Sequence, residues 1–286
     1  MRISTTSAEI RSQLKALRGH KSIAFVPTMG CLHAGHISLI EKARTLADIV
    51  IVSVYVNPLQ FGANEDLDTY PRSFDADARA CADANVDFLF HPATLYPEHG
   101  PNISLKTTKL SDCLCGAARA GHFDGVVTVV NILFNIVQPD IAVFGEKDWQ
   151  QLAIIRCMVS DLHMPIEIVG GGIVREADGL AMSSRNRYLS DSERTRALAI
   201  SRALTAMQQA ARDGETDAEA LKTRARNILQ NAAVQPEYID IRHAITLKEE
   251  QQLKHQPTRA FIAARVGKTR LIDNVAINTP LSCDGQ

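Results

Sequence analysis

The stretch IVIVSVYV, residues 49–56, is almost entirely apolar and rich in β-branched side chains. A strand with one wet face alternates polar and apolar residues, whereas this stretch offers no face suited to water. Such continuous runs are typical of strands in parallel sheets that helices cover on both faces. The stretch therefore predicts a buried strand in an α/β fold.

Shorter runs of the same kind recur along the chain, with helical patterns between them. The predicted strands are residues 22–26, 49–56, 86–90, 141–144 and 166–169, and the predicted helices include 37–46, 126–137 and 149–162. This alternation predicts a doubly wound parallel sheet, the Rossmann-like arrangement. In such a sheet we expect ligands to bind beyond the carboxyl ends of the strands.

The pattern changes after Val174, where a loop rich in Gly, Ser and Arg leads into two longer helices. These helices are predicted at residues 191–212 and 217–231, and short strands at 238–241, 259–266 and 269–272. The chain is longer than a single core usually supports. We therefore predict a Rossmann-like domain over residues 1–175 and a smaller α+β domain over residues 176–286.

Composition excludes several classes of partner. The 286 residues include 31 Lys and Arg against 32 Asp and Glu, so no overall field attracts nucleic acid or acidic membranes, and neither is an expected partner. The first 21 residues hold no apolar run of signal-peptide length, and no later stretch reaches membrane-spanning length. The six cysteines lack a C-x-x-C spacing and are expected to be reduced thiols, which predicts a cytoplasmic protein.

The most specific motif is PTMGCLHAGH, residues 27–36, between a predicted strand and a predicted helix. His33 and His36 can both face the N-terminus of that helix, where unpaired N–H groups and the helix dipole attract phosphate. Gly30 and Gly35 leave room for close backbone approach. Two alternatives stay open: the histidines only cap the helix, or they bind zinc, although no third ligand follows at a suitable spacing.

Polar residues also follow two other predicted strands. NPLQF, residues 57–61, follows the most buried one, and the amide of Gln60 can pair with a hydroxyl or a carboxylate unless the loop only ends the strand. FGEKDWQQ, residues 144–151, follows a later strand. There Gly145 permits close approach, Lys147 adds positive charge and Gln151 lies one helical turn further on. These residues are expected at the same edge of the sheet as the two histidines.

DGLAMSSRN, residues 178–186, lies at the proposed domain junction. Ser183, Ser184 and Arg185 suit a mobile clamp on a triphosphate, because Arg offers bidentate donors and Ser adaptable ones. The alternative is an N-cap followed by a surface charge. With this clamp at its start, the second domain is expected to act as a lid.

The four segments PTMGCLHAGH, VNPLQF, FGEKDWQQL and DGLAMSSRNRYLS occur in the order found in the pantothenate synthetase family, which the chain resembles. The similarity continues through RLIDN at residues 270–274 and covers nearly the whole chain. Single motifs of this kind also occur in nucleotidylyltransferases and class I aminoacyl-tRNA synthetases. The set of four is specific to the family.

The resemblance implies a ligase that condenses pantoate with β-alanine through a pantoyl adenylate, releasing AMP and pyrophosphate. It implies ATP as a substrate, Mg²⁺, a homodimer and a first domain that binds ATP and pantoate. His33, His36 and Lys147 are implied as the catalytic residues. The implied ATP-binding residues are Met29, His33, His36, Gly145, Lys147, Asp148, Val174, Met182, Ser183, Ser184 and Arg185. The implied pantoate-binding residues are Met29, Gln60 and Gln151, and no metal ligand is assigned.

Some positions depart from the family's usual pattern. The family has a basic or small residue at Asp124, Lys at Ile132, Glu at Cys115 and Val-Pro at the pair Gly171-Gly172. An acid and a lost cation would weaken an anion site, which favours a rival hypothesis, a nucleotide-binding sensor without turnover. A nucleotidylyltransferase is the other rival, and it requires further Lys or Arg residues where this chain has glutamines.

Overall fold

A six-stranded parallel sheet with helices on both faces forms the core of the first part of the chain. A computed structural model describes residues 1–63 and 65–278. The strands are β1 (Arg2–Ser4), β2 (Ile23–Thr28), β3 (Ile49–Val54), β4 (Phe88–Phe90), β5 (Ile141–Gly145) and β6 (Glu167–Gly171). The helices are α1 (Ser7–Lys15), α2 (Ala34–Leu46), α3 (Phe74–Asp83), α4 (Leu114–Ala118), α5 (His122–Val137) and α6 (Trp149–Asp161). The predicted doubly wound fold is confirmed.

Side chains on the two faces of the sheet pack against different helices. Val50 and Val52 of β3 share an apolar cluster with Ile40 of α2. On the opposite face, the ring of Phe25 in β2 lies edge-on to the ring of Phe134 in α5, with 6.5 Å between the centroids. Burial on both faces explains why the central strands carry almost no polar residues.

The strand order β1-β4-β3-β2-β5-β6 reverses direction at β2. The chain runs from β2 to β3 on one side and later returns to place β5 on the other, with every pairing parallel. The carboxyl ends of β3, β2 and β5 are therefore neighbours at one edge. Such a reversal opens a crevice beyond the strand ends, which is where ligands bind in open α/β sheets.

A second compact unit contains the described residues from Arg175 onward, together with the short segments 113–115 and 147–153. Its elements are α7 (Asp191–Arg212), α8 (Ala218–Asn231) and an antiparallel sheet of β7 (Gln235–His243), β8 (Thr258–Val266) and β9 (Thr269–Asn278). Ile200 and Leu204 of α7 and Ile262 of β8 belong to one buried cluster. Helices packed on an antiparallel sheet give this unit the α+β character expected from the sequence.

Several local predictions were wrong or incomplete. The first 21 residues gave no predicted element, yet they form β1 and α1. Helix α5 begins at His122 rather than at residue 126, and its N-cap is Gly121, which adopts a left-handed conformation, φ 77°. The five cysteines among the described residues form no disulfide with one another, and Cys283 lies outside those residues. Within the described ranges, no helix has the length and apolarity needed to cross a membrane.

We expect Gly125→Ala to destabilise the fold although Ala favours helices. A Cβ on Gly125 would overlap the carbonyl group of Leu59, and backbone atoms cannot move aside cheaply. Overpacking of this kind costs about 1–3 kcal/mol, which exceeds the gain of at most about 1 kcal/mol in helix propensity. The control is Gly172→Ala, where a Cβ meets nothing within 4 Å. Urea unfolding of both variants tests this, and an undiminished free energy of unfolding for Gly125→Ala would contradict it.

Candidate active site

The turn between β2 and α2 is held by a carboxylate from α3. Gly30 and Cys31 both adopt left-handed conformations, with φ of 82° and 53°. Two N–H groups of this turn donate to the carboxylate of Asp77, Cys31 N at 2.9 Å and Leu32 N at 2.7 Å. Asp77 is only 2% exposed, and a Cβ on Gly30 would lie 2.8 Å from its Oδ2 atom. The turn therefore requires glycine at position 30 and an acceptor at position 77.

This turn delivers His33 and His36 to the start of α2. His33 is the N-cap, and its Nδ1 accepts from Gly35 N at 3.2 Å. His36 Nδ1 accepts in return from His33 N at 3.3 Å, which completes a capping box. The two rings are 4.1 Å apart between centroids. The capping alternative is thus correct as far as the Nδ1 atoms are concerned.

Capping does not exclude phosphate binding, because it uses one nitrogen of each ring. A neutral imidazole whose Nδ1 accepts a hydrogen bond carries its proton on Nε2, so Nε2 is a donor. The first turn of α2 contains no acidic residue, and its N–H groups and dipole favour an anion. With Nδ1 accepting, Nε2 of each ring is a donor, and both rings lie at the start of a helix whose terminus attracts phosphate.

The loop after β3 holds Gln60 next to Met29. Asn57, 1% exposed, donates through Nδ2 to Gln60 Oε1 at 3.1 Å and to the Gly125 carbonyl at 3.1 Å. The hydroxyl of Tyr96 donates to Asn57 Oδ1 at 2.7 Å. Gln60 Nε2 lies 3.0 Å from Met29 Sδ. The structure thus brings together two of the three residues that the resemblance assigned to pantoate.

The chain beyond β5 carries Gly145 at the strand end and Lys147 in the 3₁₀ turn Glu146–Asp148. Within the second unit, Asn274 Nδ2 donates to the Lys147 carbonyl at 2.9 Å. The indole N–H of Trp149 donates to Ala244 O at 2.7 Å, and the guanidinium of Arg259 lies 3.5 Å above the Trp149 ring centroid. These contacts fix the backbone from Lys147 into α6, where Gln151 is half-buried.

The Ser-Ser-Arg segment forms a capped 3₁₀ turn in the second unit. Ser183 Oγ accepts from Arg185 N at 3.3 Å, so the N-cap alternative describes Ser183 correctly. Buried Asn186 donates to Glu176 Oε1 at 2.6 Å and to Ala181 O at 3.0 Å, which holds the turn in place. The remaining predicted residues of this segment are half-buried: Met182, Ser184 and Arg185. Val174, the last residue of the first unit, is also half-buried.

Two of the unusual residues have partners of their own. Asp124 Oδ1 accepts from Thr107 N at 2.8 Å and from Thr107 Oγ1 at 2.7 Å, so this acid anchors a loop to α5. Within the second unit, Cys115 Sγ lies 3.2 Å from the hydroxyl of Tyr238 and 3.5 Å from both terminal nitrogens of Arg270. Burial, with the neighbouring sulfur, raises the pKa of Tyr238.

Sequence analysis missed several residues that shape this site. Asp77, Arg119 and His122 contact the predicted loops and Glu65 pairs with Arg119, yet none of the four lies in the motifs. Asp77 lies three residues after Phe74 and four before Cys81, on the apolar face of α3, so an acid at an apolar position was the available signal. Its role could be recognised only from the contact itself. No group of three or more His, Cys, Asp or Glu among the described residues could hold a metal ion.

Comparison with known proteins identifies one family. The family model described as pantoate-beta-alanine ligase matches residues 2–276. A pantothenate synthetase of Pseudomonas fluorescens is 48% identical over 277 residues, which is 96% of each chain. A Pelobacter propionicus relative of the same name is 50% identical over 273 residues, covering 94% of this chain and 95% of the relative.

Solved structures agree with this result. The crystal structure of pantothenate synthetase from Thermus thermophilus is 43% identical, with a TM-score of 0.92 over 98% of this chain and 100% of that chain. A pantoate-beta-alanine ligase from Francisella tularensis, complexed with beta-gamma ATP and beta-alanine, is 34% identical, with a TM-score of 0.80 over 98% of this chain and 100% of that chain.

We expect Asp77→Asn to weaken both the fold and the site. An amide offers one acceptor oxygen and turns its NH₂ donors toward a second backbone N–H, which leaves a buried donor unpaired at a cost of about 1–3 kcal/mol. Asp75→Asn, on the exposed side of the same first helical turn, is the matched control. Urea unfolding and the KM for ATP are measured for both. Wild-type values for Asp77→Asn would show that the carboxylate does not fix the turn.

Proposed function

Because the chain belongs to the pantoate-beta-alanine ligase family, whose reaction forms an amide bond, we propose that it forms this bond in two steps through a pantoyl adenylate. The observation that carries the proposal is the contact of Gln60 with Met29, at the strand ends that also deliver His33 and His36. This arrangement offers a polar side chain for a hydroxy acid beside a helix terminus for phosphate.

The chemistry explains why ATP is needed. A carboxylate is a poor acyl donor because its leaving group would be oxide. In the first step a pantoate carboxylate oxygen attacks the α-phosphorus of ATP and pyrophosphate leaves. In the second step the amine of β-alanine attacks the acyl carbon, AMP leaves and the amine loses a proton. No covalent enzyme nucleophile is required, so catalysis rests on alignment and on charge stabilisation.

We assign the phosphates of ATP to His33 and His36, through the ring N–H donors at Nε2, and to Lys147. Gly145, at the end of β5, allows the nucleotide to approach the backbone. The other proposed ATP-binding residues are Met29, Asp148, Val174, Met182, Ser183, Ser184 and Arg185. The Francisella tularensis relative supports ATP and β-alanine as ligands of this family, since it was solved with both kinds of molecule.

Pantoate is assigned to Met29, Gln60 and Gln151. A neutral amide pairs with a hydroxyl or a single carboxylate, whereas a second phosphate would call for Lys or Arg. Buried Gln60 therefore favours the ligase over the nucleotidylyltransferase hypothesis. Asp124 favoured the sensor hypothesis because an acid weakens an anion site. Its carboxylate accepts two hydrogen bonds from Thr107, so it has a structural role in the first unit.

Mg²⁺, a homodimer and a cytoplasmic location complete the proposal. Mg²⁺ keeps several waters and binds through substrate phosphates with one or two carboxylates, so it does not require a protein cage. It would neutralise charge on the triphosphate. The cytoplasmic location rests on the cysteine spacing in the sequence, which is typical of reduced thiols. The dimer rests on the family resemblance, and a mass measurement in solution tests it.

We expect exchange of labelled pyrophosphate into ATP to require pantoate and Mg²⁺ but not β-alanine, because adenylation precedes the amine in the two-step scheme.

His36→Ala should lower the exchange rate by about 10²–10³-fold, the usual cost of removing one donor to a developing charge. His99→Ala, an exposed histidine outside the site, is the control. Exchange that needs β-alanine would refute the order of steps, and full exchange in His36→Ala would leave capping as the role of that residue.

We propose further that residues 1–175 bind ATP and pantoate and that residues 176–286 act as a lid. The capped turn at Ser183 supports this proposal, because it presents hydroxyls and a guanidinium suited to phosphates at the start of the second unit. Closing a site excludes water, which would otherwise hydrolyse an acyl phosphate.

Arg185→Ala should leave the KM for pantoate nearly unchanged, raise the KM for ATP modestly and lower the exchange rate by a larger factor. The physical reason is that a clamp on departing pyrophosphate acts more in the transition state than in the ground state. Arg187→Ala removes an exposed guanidinium from the same 3₁₀ turn and is the matched control. If both variants lose exchange equally, general charge rather than the clamp is responsible.

A further inference from the structure

Glu65 and Arg119 form a two-pronged ion pair in the first unit. Arg119 Nε donates to Glu65 Oε1 at 2.6 Å and Nη2 donates to Oε2 at 2.6 Å. The side chains of Arg119 and Glu65 are 16% and 26% exposed, a smaller exposed fraction than that of most ion pairs on a protein surface. Two parallel bonds to one carboxylate fix the plane of the guanidinium as well as its position.

The fixed guanidinium determines where two hydrogen-bond donors to the Gln60 carbonyl lie. Arg119 Nη1 lies 2.9 Å from His122 Nε2, and since arginine only donates, this ring nitrogen accepts. The ring proton is then on Nδ1, which donates to the Gln60 carbonyl at 2.7 Å. Arg119 Nη2 donates to the same carbonyl at 3.3 Å. One carboxylate thus organises two donors on one backbone oxygen.

Gln60 is held from its other sides as well. Asn57 fixes its side-chain oxygen, Met29 Sδ lies against its side-chain nitrogen, and α5 packs on its backbone at Gly125. Because both the side chain and the backbone of Gln60 are held, a shift of its backbone carbonyl also turns its side-chain amide. The ion pair at Arg119 is therefore coupled mechanically to the direction in which the Gln60 amide points.

The charge of Glu65 is what keeps this network together. Burial acts to raise the pKa of Glu65, but the hydrogen bonds and charge of Arg119 outweigh it and lower the pKa to about 2. The carboxylate is therefore ionised throughout the neutral range. Replacing it by an amide of the same shape weakens both charge-assisted bonds, because the acceptor loses its charge and half of its acceptor capacity.

We propose that Glu65 is a positioning residue for pantoate, which acts through Arg119 and His122 to orient the amide of Gln60. The proposal rests on the assignment of Gln60 to pantoate made above. Glu65 itself belongs to no motif of the site and is not required to touch a substrate.

Steady-state kinetics of Glu65→Gln, Gln60→Ala and the double variant test this. Glu65→Gln should raise the KM for pantoate roughly tenfold to a hundredfold, the range expected when a binding group moves by up to about 1 Å. The KM for ATP should change less, within about twofold, because the network touches the turn before α2 only through the side chain of Met29, whereas Asp77 holds the turn that delivers His33 and His36. In the Gln60→Ala background, Glu65→Gln should have almost no further effect, since residues in one network are not additive.

The controls separate the possible failures. The matched control is Asp87→Asn, which removes the charge of a carboxylate that pairs with Arg44 at 2.6 Å in the same unit. This change should leave the KM for pantoate unchanged. If Gln60→Ala leaves that KM unchanged, the assignment of Gln60 fails and the inference falls with it. If Gln60→Ala raises it but Glu65→Gln adds an independent effect, the inference alone is overturned. Should Glu65→Gln not fold, Arg119→Lys, which keeps the charge but not the fork, replaces it in the same double-variant test.

Discussion

The hydrogen bonds from the turn at residues 30–32 to the carboxylate of Asp77 are the constraint on which the proposed phosphate side of the site depends. Two consecutive left-handed residues would not persist without a partner that makes them favourable. The carboxylate supplies that partner by accepting two N–H groups that would otherwise be buried and unpaired. It also sets where α2 starts, and hence where His33 and His36 lie. The contact between the first turn of α3 and the turn before α2 therefore helps to place the two imidazoles.

The proposed pantoate side is built by similar means, from polar groups that bond to one another in a network. Asn57, Arg119 and His122 bond to Gln60 from several directions, and Tyr96 bonds to Asn57 in turn. Such networks stabilise one geometry strongly when complete and cost much when one member is lost. Helix α5 contributes twice, because Gly125 lets it approach the loop and His122 at its start reaches the Gln60 carbonyl. Rigid positioning of this kind suits a reaction that needs alignment more than a reactive side chain.

Much of the fold and part of the site could be predicted because their physical causes are local or periodic. The apolar run at residues 49–56 forms β3, and the polar residues expected at strand ends follow β2, β3 and β5. In a parallel sheet those ends share an edge, so the strand pattern alone predicts that the motifs are neighbours. The helix predicted at residues 191–212 has the same bounds in the structure. Ser190 and Glu193 form a capping box, which marks its start. The short β1 and α1 were missed because three-residue strands and weakly patterned helices carry little periodic signal.

The sequence by itself determined the fold class, the four motifs and the residue types at the strand ends, because each depends on neighbours within a few residues. It left the choice between capping and phosphate binding open at His33 and His36. Only the tertiary structure decided that Nδ1 of each ring caps the helix, since the answer depends on which ring nitrogen the backbone occupies. It alone revealed Asp77, 46 residues from Cys31, and Glu65, 54 residues from Arg119. A carboxylate in either position looks like an ordinary surface acid until the chain brings a turn or a guanidinium against it, because its role is defined by partners that are distant in sequence and adjacent in space.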